Sequence, residues 1–149
     1  MTAGGIRVEV LALLEDAAGP VLVVGRDAGR WQAVLCAAGR MVAGPTDAAT
    51  AALVTFTGER GDPDARRRRL AHVRERLGPG APLLVIDHNQ PRQWWWRPIA
   101  AVQLAARGMA PGRGRYPSAR EVDAAGFRVQ RLRLAAGERL QLVLALREA

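Results

Sequence analysis

Apolar positions change their spacing several times along the chain, and each change marks an element. Ile6, Val10, Leu13 and Leu14 recur at helical spacing, which predicts a short amphipathic helix over 6–14. Gly19-Pro20 breaks it. Val21-Leu22-Val23-Val24 is a continuous apolar run, the pattern of a strand buried on both faces. A turn over Gly25–Gly29 leads to a helix over Arg30–Ala38, stopped by Gly39. Met41–Ala43 reads as a very short strand and Leu53–Phe56 as the next full one. Asp62 caps a long helix with Pro63 in its first position and a stripe of Leu70, Val73 and Leu77.

Gly78-Pro79-Gly80 closes that helix, and Leu83–Ile86 is another two-faced strand ending at Asp87. A loop over Asp87–Arg97 carries Trp94-Trp95-Trp96. Pro98 restarts a helix running to about Arg107, and Met109–Arg115 is rich in Gly and Arg. Ser118 and Glu121 have the spacing of a capping box, so a short helix is expected up to Gly126. Phe127–Leu134 and Leu140–Leu146 then form a closing hairpin. Alternating strands and helices followed by paired strands predict an α/β domain, a three-layer sandwich with a mainly parallel sheet and an antiparallel end.

Composition bounds the partners. A chain of 149 residues, 49% apolar, suits one domain with one core, taken over 1–149. No apolar stretch reaches the length of a membrane span. Glu9, Glu15 and Asp16 interrupt the N-terminal apolar run and argue against a signal peptide. With Cys36 alone no internal disulfide forms, and a reducing cytoplasm is expected. The net charge is +8 and every basic residue is Arg. Such a surface attracts anionic partners. Arg66–Arg69 is the densest run, expected to be a solvated helix face. Nucleic-acid binding through it ranks low, because no motif or aromatic platform accompanies it.

Three segments in order carry a family resemblance. Asp62-Pro63-Asp64 opens a helix that ends Arg76-Leu77-Gly78-Pro79-Gly80 before the strand Leu83–Asp87. Tyr116-Pro117-Ser118 opens a helix ending Ala125-Gly126-Phe127, and the final hairpin follows. This resembles class I S-adenosylmethionine-dependent methyltransferases, with their Leu-x-Pro-Gly-Gly segment and closing Ala-Gly-Phe turn. The resemblance implies a Rossmann-like fold, S-adenosylmethionine as cofactor and a small-molecule acceptor. It places the cofactor loop at Gly25–Gly29, where Gly25 and Gly29 match the outer glycines of a Gly-x-Gly-x-Gly turn. Val23 stands at the usual acidic position and Asp27 at the middle glycine. Asp47, three residues late, takes the place of the acid that holds the ribose hydroxyls. Only about eight residues separate Ala43 from Leu53, where the family has a further helix and strand. The chain is therefore expected to be a truncated, divergent member, reduced in its N-terminal half.

Other residues complete the candidate site. Asp87 and His88 follow a strand's carboxyl end, where ligands bind in open α/β sheets, and His88 suits a general base. The alternative is that Asp87 caps a turn and His88 is polar loop. His72 is expected at the surface, Trp31 in the core or a pocket wall, and Cys36 among buried small residues. Three adjacent tryptophans cannot all enter one core, whether helical or extended. With Arg92 and Arg97, Trp94, Trp95 and Trp96 suit a pocket for a hydrophobic substrate, a homodimer or protein-partner patch, or a membrane interface. Two histidines sixteen residues apart and one cysteine give no metal signature. The altered cofactor loop leaves a second reading open: an inactive methyltransferase-fold protein, a pseudoenzyme, that binds a partner or another copy through its Trp/Arg surface.

Overall fold

The computed structural model describes residues 3–44, 46–57, 62–89, 94–106 and 118–149. Five strands form one sheet: β1 (Val21–Gly25), β2 (Ala51–Thr55), β3 (Pro82–His88), β4 (Phe127–Ala135) and β5 (Leu140–Arg147). Their spatial order is β1-β2-β3-β5-β4. The first three run parallel, with Val23 beside Leu53 and Leu53 beside Leu84. β5 returns antiparallel to β3, and β4 is antiparallel to β5.

Helices cover both faces, which is why β1, β2 and β3 carry nearly uninterrupted apolar residues. Side chains alternate across the sheet. Leu22, Val54, Phe56, Leu83 and Val85 pack on one face with Leu70 and Val73 of α3 (Pro63–Arg76), Leu77 just beyond it, and Val122 of α5 (Ser118–Ala124). Val21, Val23, Leu53, Leu84 and Ile86 pack on the other with Val10 of α1 (Ala3–Leu13), Leu14 just beyond it, and Leu35 of α2 (Ala28–Ala37). The remaining helix, α4 (Arg97–Ala106), follows a 3₁₀ turn over Trp94–Trp96.

Capping chemistry behaves as local rules dictate at α3: the Asp62 carboxylate accepts from Asp64 N at 3.0 Å and Pro63 occupies the first turn. The short strand expected at Met41–Ala43 is reduced to one bridge, Val42 beside Val21. Arg40, just past α2, donates to the carbonyls of Leu14 and Glu15 after α1, at 3.0 and 3.2 Å, and so ties the exits of the two helices together. Edge strand β4 exposes Arg128, Arg131 and Arg133 and carries a bulge between Val129 and Arg131, both of which discourage a further strand from adding. No described helix is long and apolar enough to cross a membrane.

Candidate active site

Parity along β3 separates two residues that are adjacent in sequence. His88 follows Leu84 and Ile86 onto the α1/α2 face; Asp87 follows Leu83 and Val85 onto the α3/α5 face. Each belongs to a different constellation.

On the α1/α2 face, a cleft of about 630 Å³ opens beyond the carboxyl ends of the parallel strands. That is the position at which open parallel sheets bind ligands, and the volume is in the range of small-molecule pockets. Asp27 and Arg30 line it from the start of α2, Trp31 from the next residue, Thr57 from beyond β2, and His88 from the end of β3. Thr57 Oγ1 donates to Asp27 Oδ2 at 3.3 Å. Asp27 is the N-cap of α2, yet its carboxylate makes no capping bond, so the first turn's N–H groups keep their capacity for a ligand anion. His88 is held firmly. Gln141 Nε2 donates to its carbonyl at 2.9 Å, and its own N–H donates to Asp87 Oδ1 at 2.7 Å. Beyond it, Asn89 N donates to Arg139 O at 2.8 Å.

Gly25 ends β1 and lies against the neighbouring strand. Its φ of +133° lies in the region that L side chains avoid, and a Cβ there would overlap the carbonyl and hydroxyl oxygens of Thr55 on the neighbouring strand. The glycine is thus demanded by β1–β2 packing. Thr55 Oγ1 is buried there with no hydrogen-bond partner among the described residues. Gly29 is different: it is exposed in the first turn of α2, and a Cβ would meet nothing within 4 Å.

On the α3/α5 face, Asp87 is fully buried and meets Arg66, itself only 3% exposed. Arg66 Nη2 donates to Asp87 Oδ2 at 2.5 Å and to Glu121 Oε2 at 2.7 Å, and Arg66 Nε reaches the same Glu121 oxygen at 2.9 Å. The Ser118 hydroxyl donates to Asp87 Oδ2. The Arg66 guanidinium also sits 3.9 Å over the Phe56 ring centroid. Burial disfavours its charge, but Asp87 and then Glu121 outweigh burial and hold its pKa above the ordinary arginine value. Asp87 therefore locks β3 to α3 and α5 and is not placed to take a proton from a ligand in the cleft.

Three expectations are corrected here. Arg66–Arg69 is not uniformly solvated, because Arg66 lies one turn before Leu70 on the buried stripe. Ser118 and Glu121 form no capping box; Ser118 is the first residue of α5, and both side chains serve Arg66 and Asp87 instead. Cys36, next to buried Leu35, is exposed, because one residue turns a helix by about 100°. Arg66 was detectable in principle: positions 66, 70, 73 and 77 share helical spacing, and an ion inside an apolar stripe requires a buried partner.

The other candidates scatter. Asp47 does not line the cleft; its carboxylate accepts from Gly44 N at 2.9 Å, and Arg76 donates to the Gly44 carbonyl at 2.5 Å in the same turn. Trp94 and Trp95 are 71% and 54% exposed and meet edge-to-face, with ring centroids 5.8 Å apart. Trp96 completes their 3₁₀ turn, and Arg97 is exposed at the start of α4. Arg92 lies outside the described residues. Trp31 lines the cleft, as a pocket wall, and His72 is exposed.

No protein-family model matches the chain, and no curated protein does either. Solved structures do. An O-methyltransferase family protein from Burkholderia thailandensis superposes with a TM-score of 0.65 at 15% identity, covering 99% of this chain and 56% of that one. The glycopeptide N-methyltransferase MtfA, complexed with sinefungin, gives 0.66 at 15%, covering 99% and 94%. Human N-acetylserotonin methyltransferase in complex with SAM gives 0.57 at 14%, covering 99% and 45%. The chain spans about half the length of the first and third. At these identities the likeness shows the fold: a five-stranded α/β sheet of the methyltransferase kind.

Proposed function

We propose that the chain is a methyltransferase-like domain that binds S-adenosylmethionine in the cleft beyond β1–β3 and, if it transfers the methyl group, does so to a small-molecule acceptor. One observation carries this reading: Asp27 and His88, sixty-one positions apart by subtraction, line the same cleft at the ligand edge of a methyltransferase fold. The residues fit the cofactor's amino-acid end. Asp27 offers a carboxylate to its ammonium, and the start of α2 offers N–H groups to its carboxylate. Trp31 provides an apolar wall for an aromatic base. The fit is partial, because Asp47 is turned elsewhere and Asp27 is the only carboxylate among the described lining residues.

When bound, the cofactor supplies an electrophilic methyl group. His88 stands at the end of β3 to accept a proton from an acceptor hydroxyl or amine, and the cleft serves to hold that acceptor in line. Asp87 acts through His88 as a positioning residue, fixing its backbone N–H. Calorimetry should detect S-adenosylmethionine or S-adenosylhomocysteine, with Asp27→Asn weakening binding about tenfold through loss of one charge-assisted contact. No heat and no thermal shift at millimolar ligand would remove the reading.

A second reading is favoured by the two exposed tryptophans and the displaced Asp47. Here the fold is a non-catalytic scaffold that assembles with another copy through Trp94, Trp95 and Arg97. Light scattering should then give a dimer mass for the parent chain and a monomer mass for the Trp94→Ala/Trp95→Ala variant. Equal masses for the two proteins would overturn it.

A further inference from the structure

The face opposite the cleft carries a second concavity, a groove of about 620 Å³ between α3 and α5. Arg67 and Arg74 line it from α3, Arg120 from α5 and Arg147 from the end of β5. Two carboxylates share it. Glu121 is already engaged by Arg66, which leaves Glu75 against four arginines. Arg67 pairs with Asp64 at 2.6 Å, but both side chains are exposed, and such pairs contribute little.

Arg74 and Arg147 are unusual within this group. The Nε of each is buried and makes no hydrogen bond among the described residues. A guanidinium stripped of water on one edge, with no protein acceptor there, is poorly compensated. Both are also held in place. A Cβ on Gly126, whose φ is +83°, would come within 2.8 Å of Arg74 Nε, so the arginine lies closely against this turn. The backbone of Arg147 exchanges hydrogen bonds with the 80–81 turn, from Gly80 N at 2.9 Å and to Ala81 O at 3.0 Å. Two positioned, under-solvated cations lining one concavity repel each other and attract an anion more strongly than freely hydrated arginines do.

We propose that this groove is an anion site that takes a small phosphate-bearing ligand. Guanidinium forks match the oxygens of a phosphate group and pair with two at once. The volume suits a small molecule, whereas sequence-independent recognition of a nucleic-acid backbone uses an extended basic track. The site is independent of the cleft, since the sheet lies between them.

Inorganic pyrophosphate is the probe, titrated by calorimetry at low and then physiological salt. Binding to the parent chain should weaken about tenfold for each arginine replaced in Arg74→Gln/Arg147→Gln, the value of one charge-assisted contact. Because that pair is partly buried, circular dichroism checks its folding, and a second variant with exposed changes, Arg67→Gln/Arg120→Gln, should also weaken binding. Arg30→Gln, in the cleft, should leave pyrophosphate binding as it was. Three results overturn the proposal: no binding to the parent chain, affinity unchanged from the parent in both groove variants, or loss of binding in Arg30→Gln. A single-stranded oligonucleotide that binds through the same arginines when pyrophosphate does not would also overturn it, in favour of a nucleic-acid surface. S-adenosylmethionine binding reads only the cleft, so failure of one site does not decide the other.

Discussion

Replacing Arg66 with Met should destabilise the chain by about 3–5 kcal/mol, the usual consequence of removing one partner from a buried ion pair. Met keeps most of the volume and removes the charge. Asp87, fully buried, would then lose the Nη2 donor at 2.5 Å and retain, among the described residues, only Ser118 and the His88 N–H. Glu121 would lose its partner at 2.7 Å as well, but it is partly exposed and water can replace that contact. The loss should lower the thermal midpoint by about 10 °C for a domain of this size. Denaturant unfolding measures it directly. Asp87→Asn in the Arg66→Met background should recover part of the loss, because the uncompensated carboxylate is gone. A single-variant loss below about 1 kcal/mol, with no recovery in the double variant, would show that the network contributes little.

The second large effect is expected at the end of β1. Gly25→Ala should cost about 4 kcal/mol. Holding an L residue at φ +133° costs about 1–3 kcal/mol, and forcing a methyl group against Thr55 costs a similar amount. Gly29→Ala provides the contrast. It sits in helix α2 with open space around it, so the change should stabilise by up to about 1 kcal/mol through the lost freedom of the unfolded chain. Unfolding in the absence of any ligand separates the two glycines, which the resemblance had paired as equivalent ends of one cofactor loop. Equal stability for the two variants would mean that Gly25 is not held by β1–β2 packing.

Those two results bear on how a single glycine-rich turn is read. A Gly-x-x-x-Gly spacing is compatible with close approach of a ligand and with close approach of a neighbouring strand. Gly25 answers to the strand, a side chain at Gly29 would meet no protein atom, and Asp27 between them lines the cleft.

The strands β1, β2 and β3 were legible in the sequence because two-faced burial leaves an uninterrupted apolar run, which few other environments require. The start of α3 was legible for a local reason too: Asp62 and Pro63 satisfy the needs of a helix N-terminus within three residues. The fold class followed from the order of such elements. What lay beyond local chemistry was decided by tertiary structure. Sheet parity sent Asp87 to Arg66 and His88 to the cleft, so two neighbouring candidates for one site became members of two. The Ser118–Glu121 spacing has a local meaning as a capping box, but a buried guanidinium offers stronger, charged partners than a helix end does, and it claimed both side chains. Arg74 and Arg147 are seventy-three positions apart by subtraction, and only the packing of α3 and β5 around α5 brings them to one groove. Sequence alone determined the long strands and helices, since those depend on neighbours a few residues away, but not the strand expected at Met41–Ala43, which is a single bridge. Which charges are buried, paired or left facing a ligand depends on groups far apart in the chain, and only the folded arrangement settled it.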